Sequence, residues 1–354
     1  MKRQMLLLAA LLMVGLGAWA QKAEQKFNPK KFQVFAVGFY NQENLFDTCH
    51  DAGKNDYEYL PAKGWNSEKY TSKLKNMSRA LADMGTDVLP DAGCAFIGLA
   101  EVENANVLKD LTAQPPLKAR NMQFCHIEGP DKRGIDCALL YNPALFTVKN
   151  VKLVPYVQEL AKDSAFYTRG FLTVRGEMAG DDVAVIVCHW PSQFSGSFYR
   201  ESGARQTKAV KDSLLRLNPE MKVFVMGDMN DDPTSKSMYE VLRAQPEISE
   251  VGEGDMYNPW YNILAKEEKG TLYYRGKWNL FDQIVLTPNL LNKDGKKKGY
   301  RSLKYWNHQV FRRDYLIQQE GRYQGAPLRT KAGGKWLNGY SDHLPVVLYL
   351  VKKK

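Results

Sequence analysis

Residues 223–233 read VFVMGDMNDDP, an apolar run that ends abruptly in acidic and amide side chains. The apolar part has the length and the Val and Phe content of a buried β-strand. Gly, Asp, Asn and Pro are also common in turns, so the polar part alone predicts a turn as readily as a functional site. Because like charges repel, a positive group close to Asp228, Asp231 and Asp232 would relieve the crowding.

Similar short apolar or alternating runs recur along the chain and predict further strands. They lie at residues 32–41, 94–104, 137–143, 171–190, 222–230, 280–287 and 344–351. Residues 179–182 predict a hairpin, and helical patterns occupy 66–85, 202–219 and 235–246, the first capped at Asn66 or Ser67. An α+β sandwich, with two packed sheets and helices outside them, fits this mixture.

The first twenty residues predict a cleaved secretory signal. Lys2 and Arg3 precede an apolar run of about a dozen residues, which ends in Ala18-Trp19-Ala20. The run is too short to cross a bilayer comfortably, and no cysteine for a lipid anchor follows it. We therefore expect a signal peptide at 1–20, a short tail at 21–30, one domain at 31–354, and an exported monomer, periplasmic or secreted.

Charge and cysteine content narrow the possible partners. Removal of Lys2 and Arg3 with the signal lowers the formal net charge from +10 to +8. A basic exported protein is attracted to polyanions such as nucleic acids and anionic membranes. The cysteines, at positions 49, 94, 125, 137 and 188, lack the spacing of a metal site. Buried thiols are expected, with one disulfide as the alternative in an oxidising compartment.

Polar side chains that can bind a hard cation or a phosphate stand at one end of six predicted strands. They are Asn41 and Glu43, Glu101 and Glu103, His189, Asp228 and Asn230, Asp282, and Asp342 with His343. Each of them alone has a structural explanation, as a turn residue or a packed side chain. Asp282 is harder to explain in this way, because it lies inside an apolar run and an unpartnered buried carboxylate is costly.

If the sheets bring these ends to one rim, the carboxylates there must bind cations, since repulsion would otherwise protonate or separate them. Oxygen ligands favour Mg²⁺, with Mn²⁺ or Ca²⁺ as alternatives, whereas zinc would need more His or Cys. The chain has no glycine-rich loop for a nucleotide cofactor and no GxSxG elbow. A hard cation beside two imidazoles indicates hydrolysis of a phosphate ester.

Seven motifs occur in one order along the chain, and together they resemble the endonuclease/exonuclease/phosphatase superfamily, which includes deoxyribonuclease I and exonuclease III. The motifs are YNQENLFD, GLAEVEN, RGIDCALLYNP, CHWPSQFSG, MGDMNDDP, NLFDQIVL and SDHLPV. The ordered pair GDxN and SDHxP is the most specific part of the resemblance. It implies a four-layered α/β/β/α sandwich and a metal-dependent phosphoric ester hydrolase.

The resemblance also implies which residues stand beside the metal. Glu101 matches the principal metal-binding glutamate, and Asn41 matches an asparagine on the first strand beside the metal. Asp342 matches a second carboxylate on the metal side. Asp228 matches the aspartate that positions the nucleophile or a second metal.

Other positions match residues that act on water and phosphate. His343 matches the general base that accepts a proton from water, and Asp282 matches the acid that orients it. Asn230 matches a donor to the phosphate, and His189 matches a histidine that donates to the phosphate or protonates the leaving oxygen. Arg133 is placed like a phosphate-gripping arginine, although a solvated turn charge explains it equally well.

The superfamily cleaves several phosphodiesters, so the fold alone does not choose the substrate. The charge, the export signal and the basic runs at 293–301 and 311–315 favour a nuclease that acts on DNA or RNA. A lipid-headgroup phosphodiesterase, like a sphingomyelinase or a phosphoinositide phosphatase, is the alternative. Segments 255–264 and 304–311 place Trp and Tyr in predicted loops that could enter a membrane, pack in the core, or stack on bases. A non-catalytic binding protein of this fold is disfavoured, because it has no use for Asp282 behind His343.

Overall fold

The computed structural model describes residues 30–159, 166–267, 269–295 and 297–354. The predicted signal peptide and its cleavage site lie outside the described residues. Within them, two mixed β-sheets pack face to face and helices cover their outer faces. The predicted α+β sandwich with α/β/β/α layers is confirmed.

The strands and helices have the following bounds in the described residues. The first strands are β1 (Phe32–Leu45), β2 (Cys94–Val102), β3 (Gln123–His126), β4 (Asp136–Tyr141), β5 (Thr147–Val154), β6 (Phe171–Met178), β7 (Asp181–His189), β8 (Lys222–Asp228) and β9 (Ala244–Gln245). The others are β10 (Met256–Tyr257), β11 (Leu272–Tyr274), β12 (Lys277–Asn279), β13 (Asp282–Leu286), β14 (Lys304–Val310), β15 (Lys331–Ala332), β16 (Lys335–Trp336) and β17 (Val346–Lys353). The helices are α1 (Ser67–Asp83), α2 (Ala105–Thr112), α3 (Pro115–Lys118), α4 (Ser197–Leu217) and α5 (Tyr261–Glu267).

The order of the strands sets which chain segments meet at a sheet end. One sheet has the order β14-β17-β1-β2-β4-β3, and the other has the order β5-β6-β7-β8-β13-β10-β9. β1 runs parallel to β2, and β7 runs parallel to β8, so both pairs carry their carboxyl ends to the same edge. The hairpins β11-β12 and β15-β16 stand outside both sheets.

Alternation along β1 divides its side chains between two apolar layers. Phe35, Val37 and Phe39 enter the core between the sheets, whereas Ala36 and Tyr40 face the layer that α1 and α2 cover. On the other side of the sandwich, α4 covers the outer face of the second sheet. Each fully buried large apolar side chain contributes roughly 1.5–3 kcal/mol of transfer free energy.

The predicted helices differ in how closely the structure follows them. Asn66 caps α1 by accepting a hydrogen bond from Lys69 N at 3.0 Å, and the helix ends shortly before Gly85. α4 begins five residues before the predicted 202. The helix predicted at 235–246 is wrong: the structure has a π-helical turn, Ser237–Val241, followed by β9. Ser237 Oγ donates to Asp231 at 2.6 Å and Ala244 pairs with Met256, and both contacts draw the segment out of a regular helix.

The hairpin predicted at 179–182 is present between β6 and β7, with Ala179 and Gly180 both at positive φ. All five cysteines lie in described residues and are free thiols; Cys49 is exposed and the other four are buried. Among the described helices, none combines the length and the hydrophobicity needed to cross a membrane.

Candidate active site

Three adjacent strands of the second sheet place predicted site residues side by side. His189, the last residue of β7, pairs with Asp228, the last residue of β8. Asp228 in turn pairs with Asp282, the first residue of the antiparallel strand β13. The strand register itself therefore assembles an imidazole and two carboxylates at one edge of the sheet.

The first sheet brings the remaining residues to the same edge. Asn41 Nδ2 donates to Asp228 Oδ2 at 3.0 Å and lies 3.4 Å from Glu101 Oε1. Ser341 Oγ donates to the backbone oxygen of Asn41 at 2.8 Å, which ties the segment that carries Asp342 to β1. The two sheets thus contribute to one cluster of side chains.

His343 and Asp282 form a buried pair. His343 Nδ1 lies 2.6 Å from Asp282 Oδ2, and both side chains are almost fully buried. The other ring nitrogen, Nε2, faces Asp228 Oδ2 at 3.8 Å and Asp342 Oδ1 at 4.0 Å. Burial opposes protonation of His343, but Asp282 and Asp228 outweigh it and hold the pKa of the imidazole well above its ordinary value.

Asp228 is buried in the middle of the cluster. Its Oδ1 accepts a hydrogen bond from Asn230 N at 2.9 Å, while its Oδ2 accepts the Asn41 amide. Burial, together with the charge of Asp282, raises the pKa of Asp228 to about 7, although His343 acts in the opposite direction. A carboxylate in this position is stabilised by any added positive charge.

His189 has the opposite electrostatics. Its Nε2 lies 3.7 Å from Asp228 Oδ2 and 3.9 Å from Glu101 Oε1, and its buried Nδ1 has no hydrogen-bond partner among the described residues. Burial, and then the charges of Arg169, Arg133 and His343, hold the pKa of His189 well below its ordinary value. The ring is therefore neutral, and it can donate one N–H to a ligand.

Strained backbone concentrates at this edge. Four site or near-site residues that are not glycine have left-handed φ angles: Glu43 at 46°, Asn44 at 58°, Glu101 at 61° and Asn230 at 50°. Each such residue costs roughly 1–3 kcal/mol and persists only where the surroundings enforce it. Glu101 Oε2 accepts from Asn44 N at 3.0 Å, and the register of β1 with β2 shifts between Asn41 and Leu45. The strain directs Glu101 into the cluster.

Asn230 and Arg133 lie at the margin of the cluster. Asn230 Nδ2 donates to the backbone oxygen of Trp190 at 2.9 Å, which links the ends of β7 and β8 and uses one of its two amide hydrogens. Arg133 is exposed and donates through Nη2 to Asn44 Oδ1. Its side chain lines the cleft that contains Glu101.

The other acidic residues of VFVMGDMNDDP have structural partners. Asp231 Oδ1 lies 2.8 Å from Nε of the buried Arg200. Asp232 Oδ1 accepts from Leu280 N at 2.7 Å. The three aspartates therefore have different roles, since Asp231 and Asp232 bond to neighbouring segments and, of the three, Asp228 alone enters the cluster.

Sequence reasoning missed a second set of charges behind Asp342. Arg329 donates through Nε to Glu43 at 3.0 Å and through Nη2 to Asp342 Oδ2 at 2.8 Å. Thr330 N donates to Glu43 at 2.5 Å, and the fully buried Lys73 donates to Thr330 Oγ1 and, at 2.5 Å, to Tyr340 O.

Burial sets the charge balance of this second set. It lowers the pKa of Lys73 to about 8 and raises the pKa of Glu43. One signal was available in the sequence, because Lys73 stands four residues before Met77, on the apolar stripe of α1.

The cluster, called the floor below, adjoins a cleft of about 1160 Å³ through Glu101 and Asp342, which line the cleft together with Arg133 and Arg329. Carboxylate and amide oxygens make it suitable for a hard divalent cation. The ligand atoms of Asp228, Asp282 and His343 all lie within 4.8 Å of one another. Asp282 and His343 already bond to each other, so the residues that could hold a cation are Asn41, Glu101 and Asp342, with Asp228 beside them.

Comparison with known proteins agrees with this geometry. The sequence profile described as Endonuclease/Exonuclease/phosphatase family matches residues 36–352. A search of curated proteins finds no match to the chain.

Solved structures with the same fold include an endonuclease/exonuclease/phosphatase family protein from Bacteroides thetaiotaomicron, with a TM-score of 0.54, 15% identity, and 91% and 96% of the two chains covered. The mannosyl-6-phosphatase Bt3783 of B. thetaiotaomicron VPI-5482 has a TM-score of 0.54 and 15% identity over 89% and 99%. TDP2 of D. rerio, complexed with single strand DNA product, has a TM-score of 0.52 and 13% identity over 90% and 99%. The chain therefore belongs to the endonuclease/exonuclease/phosphatase family, whose members are metal-dependent phosphoric ester hydrolases.

Proposed function

We propose that this protein is an exported, Mg²⁺-dependent nuclease that hydrolyses phosphodiester bonds of DNA or RNA, with Mn²⁺ or Ca²⁺ as alternative ions. The observation that carries the proposal is the buried Asp282–His343 pair, whose Nε2 faces Asp228 and Asp342, and Asp342 lines the cleft. A ring nitrogen in that position can take a proton from a water molecule that attacks phosphorus.

The residues divide the work of an in-line displacement. Asp282 holds Nδ1–H of His343, so that Nε2 accepts the proton of the attacking water. Asp228 orients that water by accepting its other hydrogen. His189 donates an N–H hydrogen bond to the phosphate or to the leaving oxygen. Because its ring is neutral, the proton that the leaving oxygen takes up as its bond to phosphorus breaks comes from solvent water.

The ion would be held by Asn41, Glu101 and Asp342, with Asp228 as a further ligand. A bound divalent cation would neutralise the surrounding carboxylates, lower the pKa of His343, and stabilise negative charge on the phosphate. Arg329, which bonds Glu43 and Asp342, keeps the Asp342 carboxylate in place at this site.

Nucleic acid is favoured over other esters by charge. The chain is basic, and the cationic Arg133 lines the cleft. TDP2, a structure of the same fold, was solved with a single strand DNA product. The basic run at 311–315 does not add to this argument, because Arg313 pairs with Asp83 and Asp87.

The lipid-headgroup alternative loses two of the aromatic residues that suggested it, Trp260 and Tyr257 of segment 255–264. Trp260 is fully buried and donates through Nε1 to Ile284 O at 2.9 Å. Tyr257 is buried in the core between the sheets. In segment 255–264 these aromatic side chains therefore serve the core and do not project from a loop toward a membrane.

A substrate panel tests the proposal. Single-stranded DNA, RNA, sphingomyelin vesicles and mannose 6-phosphate would be compared with Mg²⁺ and with EDTA, and the His343→Ala variant would report contaminating activity. We expect hydrolysis of at least one nucleic acid. Neither sphingomyelin nor mannose 6-phosphate should be cleaved faster than that nucleic acid. Cleavage of vesicles or of the sugar phosphate without cleavage of nucleic acid would overturn the substrate assignment.

Export predicts a new N-terminus at Gln21 in the extracytoplasmic fraction; an intact N-terminus would contradict it.

A further inference from the structure

The proposed chemistry leaves the upper walls of the cleft without a role. These walls, the lining residues other than Glu43, Glu101, Arg329 and Asp342, include the hairpin β15-β16, Lys63, Lys69, Tyr274 and Tyr323. The wall residues are aromatic or cationic far more often than acidic. A wall of this composition is a candidate substrate surface.

Charge on the walls is strongly one-sided. Away from the floor, the cleft is lined by the cations Lys63, Lys69, Arg133, Arg275, Arg322 and Lys331. The acids in the lining are Glu101, Glu43 and Asp342, the last two bonded to Arg329, and Glu58, which pairs with Lys331 at 3.2 Å. A single phosphate at the floor would leave most of these cations without a partner, so they favour a ligand with several phosphates.

Aromatic rings and cations on the walls occur in pairs. Lys69 Nζ lies 5.9 Å from the ring centre of Trp336. The guanidinium groups of Arg275 and Arg322 lie 5.2 Å and 5.6 Å from the rings of Tyr274 and Tyr323. Tyr274 and Tyr323 are about half exposed, at 50% and 51%. Each pair offers a flat apolar surface and a positive charge, which are the two features that one nucleotide requires.

The Trp336 platform is fixed relative to the floor. Trp65, which is buried and donates to Asp47 O at 2.8 Å, meets the Trp336 ring at 5.6 Å and 71°. The two rings are T-shaped and not stacked, so Trp65 supports Trp336 from the core side. The hairpin follows directly on Arg329 and Thr330, which bond Glu43 at the cluster. Pre-organisation of this kind reduces the cost of binding.

We propose that Trp336, Tyr274 and Tyr323, each with its neighbouring cation, are stacking subsites for unpaired nucleotides, so that the enzyme prefers single-stranded nucleic acid. The inference rests on the proposed function for its choice of ligand. It adds a preference for single strands over duplexes and the residues that cause this preference. Bases in a duplex are stacked on one another and cannot use these platforms.

Binding in EDTA tests the proposal without turnover. The anisotropy of a fluorescent twelve-nucleotide thymidine strand would be measured with wild type and with Trp336→Ala, Tyr274→Ala and Tyr323→Ala. The Tyr239→Ala variant is the matched control, because Tyr239 is 42% exposed and does not line the cleft. We expect each wall variant to bind about 5- to 100-fold more weakly, the usual effect of losing one base–aromatic stack. The control should bind like wild type.

Three outcomes would overturn the inference: wall variants that bind like the control, a duplex that binds as tightly as the single strand, or a sulfated glycan that binds more tightly than the oligonucleotide. Failure of the proposed function is distinguishable from these results. A strand that binds through Trp336 but is not cleaved with Mg²⁺ refutes the nuclease proposal and supports the stacking subsites. A strand that is cleaved, but that binds equally well to the wall variants, supports the nuclease proposal and refutes the stacking subsites.

Discussion

The floor and the walls of the cleft are built in different ways. At the centre of the floor lie His189, Asp228, Asp282 and His343, at most 6% exposed, and the first three stand at the ends of paired central strands. The walls carry Tyr274 and Trp336 on two hairpins whose strands are two or three residues long, and Tyr323 on a turn. The folded sandwich must form the floor, whereas short hairpins can vary without cost to the core. Changes in the floor should therefore affect every ester, and changes in the walls should affect only ligands long enough to reach them.

The largest effect is expected from His343→Ala, which removes the proposed base. Turnover of the small diester bis(p-nitrophenyl) phosphate should fall by about 10²- to 10⁴-fold, the range for loss of a positioned general base. Initial rates would be compared at matched circular dichroism and thermal midpoint. His50→Ala is the control, because His50 is an exposed imidazole outside the cleft, and it should keep the wild-type rate. Similar rates for both variants would refute the role of His343.

Glu101→Gln should weaken cation binding, since it replaces a carboxylate by a neutral amide. We expect the Mg²⁺ concentration for half-maximal activity to rise by at least about 10-fold, and isothermal titration with Mn²⁺ to show the same loss. Glu58→Gln changes an acid of the cleft wall and should leave both quantities unchanged. An equal effect of the two substitutions would mean that cation binding depends on the overall negative charge of the cleft and not on Glu101 as a ligand.

A smaller effect is expected from Arg329→Gln, which breaks the link from Glu43 to Asp342. The rate on the small diester should fall by about 10-fold, as for other groups that orient ligands. Arg322→Gln removes a wall arginine and should not change that rate, although it should weaken oligonucleotide binding. If Arg322→Gln slowed the small diester as much as Arg329→Gln did, the distinction between floor and wall would fail.

The smallest effect concerns stability, at Glu103, a strand-end acid that does not join the floor. Burial raises the pKa of Glu103 to about 8, whereas an unfolded glutamate titrates near ~4.3. Between these values the folded state binds more protons, so this group makes stability fall as pH rises. In EDTA, the thermal midpoint of Glu103→Gln relative to wild type should therefore increase from pH 5 to pH 8. The exposed Glu250→Gln should show no such trend; a flat difference for Glu103→Gln would contradict the shift.

Much of the floor follows from sequence because each of its residues adjoins an apolar run that forms a strand. Asp228 and Asp282 could be placed together once both runs were assigned to one sheet. The contacts of Lys73 and Arg329 could not be predicted in this way. Their partners lie up to 286 residues away in the chain, and no local pattern encodes such contacts. The wall hairpins did have a local signal, because glycine occurs at both turns. Gly333-Gly334 and Arg275-Gly276 all have positive φ, as the turns of two-residue hairpins require.

The π-helical turn at Ser237–Val241 shows the opposite case, in which tertiary contacts override a local pattern. Its side chains repeat at helical spacing, yet the bond of Ser237 to Asp231 and the pairing of β9 with β10 determine the backbone. Asp231 and Asp232 could likewise be assigned to the turn after β8, but not to their partners Arg200 and Leu280.

The most direct test of the floor is metal removal and return with the small diester as substrate. Bis(p-nitrophenyl) phosphate is too short to depend on the walls, so its hydrolysis reports on Asp228, Asp282, His343 and their cation alone. We expect EDTA to reduce the initial rate of wild-type protein to that of His343→Ala, and excess Mg²⁺ to restore it. A rate that persists in EDTA at the wild-type level would contradict a cation-dependent floor.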